Sequence, residues 1–243
     1  MKLITFAGPP SAGKTATAIK TAEHLMREGF TLGAVKFDCI ATEDDELYRK
    51  KGIPVLRGIA GNLCPDHYYI INIQDCVEWG YAQGLDFLFS ESAGLCNRCS
   101  PHIRGVTGLC IIDCLSGVHT PKKIGPMLIF ADMVIVTKGD IVSPAEREVF
   151  AFRARMANRK AKVLFVNGLT GEGTFELARQ LKKAPETASL EHGKIRFPLP
   201  VALCSYCFGE TRIGPDYTSS SFPARKIPIP PIPASPEDES CRV

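Results

Sequence analysis

Gly8-Pro9-Pro10-Ser11-Ala12-Gly13-Lys14-Thr15 sets two glycines, a lysine and a hydroxyl at the spacing G-x-x-x-x-G-K-[ST]. That pattern suits a triphosphate. Glycines let backbone N–H groups turn inward around phosphate oxygens, and a helix beginning at the lysine adds positive potential. Lys14 would neutralise β/γ oxygens, and the Thr15 hydroxyl would ligate Mg2+. The chemistry requires a strand before the motif and a helix after it. Residues 2–7 (KLITFA) read as a short buried strand, and 15–28 as a helix stopped by Gly29.

Two carboxylates are candidates for the same centre. Asp38 follows an apolar run at 31–37, and Glu91 follows another at 85–90. Parallel strands deliver such positions to the edge that carries the phosphate loop. With Lys14 they form the expected catalytic set, and with Thr15 the expected Mg2+ set. They would hold the metal's water shell or orient an attacking water. Base choice rests on Thr137-Lys138-Gly139-Asp140, just past the apolar run at 133–137. Asp140 can accept two hydrogen bonds from guanine's N1–H and exocyclic amine, which adenine cannot supply. The Lys138 stem can lie along the base. The predicted substrate is GTP.

A second constellation is thiol-rich. Cys64-Pro65-Asp66-His67 puts a thiol and an imidazole three residues apart, both first-choice ligands for Zn2+ or Ni2+. One such pair cannot fill a coordination sphere, whereas two copies across a symmetric dimer would. Cys96-x-x-Cys99 and Cys204-x-x-Cys207 could together make a four-cysteine zinc site or hold an iron–sulfur cluster. Cys96 and Cys99 could also meet their symmetry mates, or act as a redox pair. For Cys76, Cys110 and Cys114 burial is the expectation.

The remaining chain must position these groups. Apolar runs at 108–114 and 163–167 add strands, and 42–52, 70–80, 144–158 and 174–183 read as helices. Strands alternating with helices predict an α/β fold, a mainly parallel sheet with helices on both faces. Residues 1–190 are expected to form this nucleotide domain. Residues 191–243, rich in proline and cysteine, are expected to be a partly irregular extension. With 29 basic and 26 acidic residues of 243 and no basic block, nothing argues for nucleic acid or a membrane surface. The apolar start is too short to span a bilayer, so a cytoplasmic protein is expected. Ten cysteines in a reducing compartment then point to metal, cluster or redox chemistry before structural disulfides.

Taken in order along 2–183, these features resemble the nickel-insertion GTPases of hydrogenase and urease maturation, the HypB and UreG family. The resemblance rests on the phosphate loop, Asp38, the acidic 42–45 segment with Gly52-Ile53-Pro54, and the 61–67 loop. It continues through Glu91-Ser92-Ala93-Gly94, the 117–126 segment, 137–140 and Thr170-Gly171-Glu172-Gly173. It implies that Cys64 and His67 are metal ligands and that 117–126 is a second switch. The 170–173 loop would close over guanine, with Asn167, Gly168 and Leu169 counted among the nucleotide-binding residues. It further implies a nucleotide-dependent homodimer that hands a metal ion to a client metalloenzyme or another maturation protein. Asp66 departs from the urease-type pattern, as do the two C-x-x-C pairs. An iron–sulfur activase or electron-transfer ATPase, and a switch whose proline-rich tail binds a partner, are the competing readings.

Overall fold

The computed structural model describes residues 1–40, 43–96, 98–198, 210–217 and 226–230. Along the chain run β1 (Lys2–Ala7), α1 (Lys14–Arg27), β2 (Leu32–Asp38), α2 (Asp44–Arg49), β3 (Val55–Ile59) and α3 (Pro65–Ala82). Then follow β4 (Phe87–Glu91), β5 (Thr107–Asp113), α4 (Thr120–Lys123), α5 (Pro126–Ile129), β6 (Met133–Thr137), α6 (Pro144–Ala157), β7 (Lys162–Phe165) and α7 (Thr174–Leu181). The seven strands form one sheet in the order β3-β2-β4-β1-β5-β6-β7, every neighbouring pair parallel. The α/β class expected from the sequence is the one found.

Strand alternation decides what each face buries. Leu3, Val35, Phe37 and Leu88 face Tyr68, Tyr69, Ile73 and Val77 of α3. Ile4, Phe6, Phe89, Leu109 and Ile111 pack on the other side against Ala18, Ala22 and Leu25 of α1 and Leu177 and Leu181 of α7. A third cluster joins Cys110, Ile112, Val134 and Val136 to Phe150 and Ala154 of α6. Cys76, Cys110 and Cys114 are buried in these clusters, as expected. Each large side chain so enclosed contributes about 1.5–3 kcal/mol.

Differences from the sequence reading lie at element ends. The helix expected at 70–80 begins at Pro65, whose fixed φ suits the first helical position. The helix expected at 42–52 is the single turn-and-a-half Asp44–Arg49, and β3 follows it at Val55–Ile59. Helices α4 and α5, four residues each, were not predicted. α6 has the full start signal, Ser143 and Glu146 capping each other reciprocally ahead of Pro144. Described parts of the 191–243 extension lie on the core, with Ile195, Ile213 and Ile227 buried beside α3. Among the described residues no helix is long and apolar enough to cross a membrane.

Candidate functional site

β1 ends at Ala7, and the phosphate loop turns at its carboxyl end into α1. Gly8 has φ +141°, and any side chain there would run into the carbonyl oxygen of Ile111 on the neighbouring β5. Only glycine fits that approach. Lys14 is buried, and its Nζ donates to the carbonyls of Gly8 (3.0 Å) and Pro9 (2.9 Å) across the mouth of the loop. Burial holds its ammonium below the ordinary lysine range, while Glu91 pulls the other way. A lysine stripped of water and resting on two neutral carbonyls can be transferred to an anion at little cost.

Beside it stands a carboxylate cluster set by sheet register. β2 pairs with β4 so that Lys36 lies directly across from Glu91, and both are buried. Lys36 Nζ is 2.5 Å from Glu91 Oε1 and 2.7 Å from Asp44 Oδ2. Thr15 Oγ1 is 2.8 Å and 3.1 Å from the same two oxygens, and Tyr48 donates its hydroxyl to Glu91 Oε2 at 3.0 Å. Burial alone would lower Lys36, yet Glu91 and Asp44 hold its ammonium above the ordinary value. Burial alone would raise Asp44, but Lys36 brings it below the usual carboxylate range.

This donor set fits magnesium. Neighbouring oxygens on an octahedral Mg2+ with bonds of about 2.1 Å lie about 3.0 Å apart. The Thr15–Asp44 and Thr15–Glu91 separations, 3.1 and 2.8 Å, straddle that value. Of the three expected ligands, Thr15 and Glu91 are thus brought together. Asp38 lies near enough for its charge to act on Lys14, and its Oδ1 accepts the backbone N–H of Cys39 at 2.8 Å. Asp44, which was not among the expected ligands, also accepts from the Thr15 hydroxyl. The sequence reading passed over Lys36 and Tyr48 and took Asp44 only as part of the acidic 42–45 segment. A lysine inside the apolar run 31–37 was the available signal, since lysine is rarely buried without a partner.

The residues expected to read the base converge. Gly13, Ala16, Thr137, Lys138, Asp140, Ile141, Asn167, Gly168 and Leu169 line one mainly apolar cavity of about 200 Å3. Thr137 Oγ1 donates to the Ala12 carbonyl at 2.7 Å, and Lys138 Nζ to the Ser11 carbonyl at 2.7 Å. The segment after β6 is thereby fastened to the phosphate loop. Asn167 shapes the far wall, its Oδ1 accepting the N–H groups of Leu169 (2.9 Å) and Thr170 (3.1 Å).

The thiol-rich segments also meet. Cys64 caps α3, Asp66 and His67 lie buried in its first turn, and the loop after β4 brings Cys96 and Cys99 alongside. Cys96 Sγ and Cys99 Sγ are 3.5 Å apart. One donor atom from each of Asp66, Cys96 and Cys99 falls within 4.8 Å of the others, and Cys64 and His67 stand outside that group. Burial drives the Cys99 thiol well up, with the Asp66 carboxylate adding to it, and lowers His67. Cys204 and Cys207 lie outside the described residues. The sequence reading treated Asp66 as an insertion and did not count it as a donor.

Fold and site together define a P-loop nucleotide-binding protein with a cavity beside the phosphate loop, walled by the segments after β6 and β7. Over residues 2–165 the sequence matches the CobW/HypB/UreG nucleotide-binding domain, and the chain belongs to that family. It is 45% identical over 217 residues to the uncharacterized protein MJ0120 of Methanocaldococcus jannaschii, covering 89% of this chain and 93% of that one. Among solved structures it is similar to HypB of Helicobacter pylori in complex with nickel, with a TM-score of 0.62 at 19% identity over 78% of this chain and 91% of that one. The hydrogenase maturation factor HypB of Archaeoglobus fulgidus gives 0.59 at 19% identity, over 75% of this chain and 89% of that one. At such identity these structures show the shared fold.

Proposed function

We propose that this protein is a GTP-hydrolysing metallochaperone of the cytoplasm, which binds a transition-metal ion, nickel foremost, and assists its insertion into a client metalloenzyme. One observation carries the reading. A single stretch of chain runs from Glu91 of the carboxylate cluster through Gly94 to Cys96 and Cys99. Gly94, at φ +73°, is pressed so close to the Gly8 carbonyl and to Lys14 Nζ that no side chain fits there. Nucleotide and thiols therefore share a mechanical element.

In this reading the backbone N–H groups of the 8–15 loop and Lys14 bind the β/γ phosphates, Lys14 exchanging its two carbonyl partners for phosphate oxygens. Asp140 reads guanine within the cavity, and Asn167, Gly168 and Leu169 close its wall. Thr15, Asp44 and Glu91 would hold Mg2+, which when bound neutralises charge on the phosphates. Asp38 supplies a carboxylate at the same edge for ordering the attacking water. Loss of the γ-phosphate lets Lys14 return to the Gly8 and Pro9 carbonyls, moving the Gly94 contact and with it the thiol segment. A nucleotide-dependent homodimer is the assembly the family resemblance implies, and the client sits outside what the residues specify.

The test is nucleotide titration of wild type and Lys14→Ala. Wild type should bind and turn over GTP in preference to ATP, and Lys14→Ala should lose at least about 100-fold in turnover, the scale for removing one preorganised charge donor. Intact triphosphate affinity and turnover in Lys14→Ala would sink the proposal.

A further inference from the structure

Helices cover both faces of the sheet, so a strand residue is enclosed there whatever its type. Lys36 of β2 is only 4% exposed, and its stem carries the ammonium to the carboxylates beside the phosphate loop. Nζ bonds Glu91 Oε1 and Asp44 Oδ2, the same two oxygens that accept the Thr15 hydroxyl. Two of the three oxygens that fit Mg2+ thus already serve a cation of the chain's own. An ion held at about 2.1 Å by Glu91 Oε1 would stand within about 4.6 Å of Nζ, which is 2.5 Å from that oxygen. Sharing the Asp44 oxygen as well draws the two closer. Glu91 is buried, and at that range like charges repel with little screening. Ion and ammonium therefore compete for these carboxylates.

A displaced ammonium needs another anion. A lysine stem is flexible, and Lys36 lies near enough for its charge to act on Lys14. Lys14 serves the β/γ oxygens in the proposed function, and an ion on the Thr15 hydroxyl bridges β and γ. The γ-phosphate is therefore the anion that comes to lie beside Glu91 and Asp44. We propose that Lys36 is a γ-phosphate-binding residue, whose ammonium holds Glu91 and Asp44 in the nucleotide-free protein and passes to a γ-phosphate oxygen when those carboxylates ligate Mg2+. The inference rests on the triphosphate reading of the 8–15 loop and deepens it. Lys14 rests on neutral carbonyls and moves without a substitute. Lys36 rests on carboxylates, so it moves only when a second cation replaces it there. With a diphosphate the released ammonium finds no γ oxygen, and the ion must enter against its charge. Mg2+ and γ-phosphate thereby favour each other's binding, and the site tells GTP from GDP.

The test uses the full chain, stripped of nucleotide and divalent ions, with Mn2+ as the probe of the carboxylates by electron paramagnetic resonance. Lys36→Met keeps the stem and drops the charge. Without nucleotide it should bind Mn2+ at least about 10-fold more tightly than wild type, the least that one close charge is worth. With Mg2+ present, wild type should prefer a non-hydrolysable GTP analogue to GDP. Lys36→Met should lose about 10- to 100-fold of that preference, the worth of one charge-assisted hydrogen bond. GDP affinity in magnesium-free buffer shows whether the variant is folded. An unchanged nucleotide preference in folded Lys36→Met refutes the proposal. Should the variant not fold, wild type decides. Crystals grown with Mg2+ and the analogue should place Nζ within about 3.2 Å of a γ-phosphate oxygen. Nζ still resting on Glu91 and Asp44 there overturns the proposal. Either adverse result leaves the GTPase reading standing, whereas a wild-type chain that binds neither nucleotide overturns both.

Discussion

Two clusters of acidic and thiol side chains stand at the same edge of the sheet and are built differently. Around Thr15, the carboxylates of Glu91 and Asp44 share the ammonium of Lys36 and a hydroxyl from Tyr48. Around α3's first turn, Asp66 and the Cys96–Cys99 pair have no such cation among the described residues. The first cluster carries its own counter-charge and can hold its shape before any magnesium arrives. In the second, burial keeps the Cys99 thiol protonated and it donates to Asp66, whose carboxyl burial raises to about 6.

The largest expected effect tests the counter-charge directly. Lys36→Met leaves Glu91 and Asp44 facing each other without a cation. Removing one partner of a buried pair costs about 3–5 kcal/mol. For a chain of this size that is a fall in Tm on the order of 10 °C. Added Mg2+ should recover much of it in the variant and little in wild type, as read by thermal unfolding with and without the ion. Equal Tm values for both proteins, indifferent to Mg2+, would remove the contrast between the clusters.

The parts legible in the sequence were those whose chemistry is local. The 8–15 loop, the Thr137–Asp140 segment and the α/β class each depend on spacing within a few residues; the class is the one found, the loop runs from β1 into α1, and the segment follows β6. What was not legible depends on register and on loops meeting. Lys36 opposes Glu91 only because β2 pairs with β4 in one particular register. Asp44 read as the acidic first turn of a helix, a role it fills while also reaching Thr15. Asp66 joins Cys96 across thirty residues of chain, and Ile213 and Ile227 reach α3 from a stretch that composition marks as irregular.

A smaller effect concerns how the thiol loop is anchored. It ends at His102, fully buried, whose Nε2 lies 2.8 Å from the Met127 carbonyl and whose Nδ1 lies 3.0 Å from Thr5 Oγ1 on β1. A carbonyl only accepts, so Nε2 carries the proton and Nδ1 accepts from the threonine. Burial pushes the imidazole down to about 4, the Met127 carbonyl opposing it. The unfolded chain takes up this proton near pH 6.5, which the folded chain resists until about 4. The neutral ring's contribution is therefore complete above pH 6.5 and is lost as pH falls towards 4, by about 3 kcal/mol. His102→Gln should flatten that slope in urea unfolding measured across the range. Parallel pH profiles for variant and wild type would show that this anchor does not govern the loop.

The smallest effect separates the clusters most sharply. Thr137 is buried, and its hydroxyl is the tie between the base segment and the Ala12 carbonyl. Valine keeps the shape and the strand preference but removes the donor, leaving that carbonyl unpaired at a cost of about 1–2 kcal/mol. Because Gly13 and Thr137 line the same cavity, that cost falls on nucleotide affinity. Thr137→Val should weaken GTP binding about 5- to 30-fold, the equilibrium equivalent of that energy, and Thr137→Ser, which keeps the donor, should bind nearly as wild type does. Cobalt uptake at the thiols should be unchanged in both, since the tie touches neither Gly94 nor α3. A parallel loss of cobalt binding in Thr137→Val would mean that the two clusters are one cooperative unit even without nucleotide.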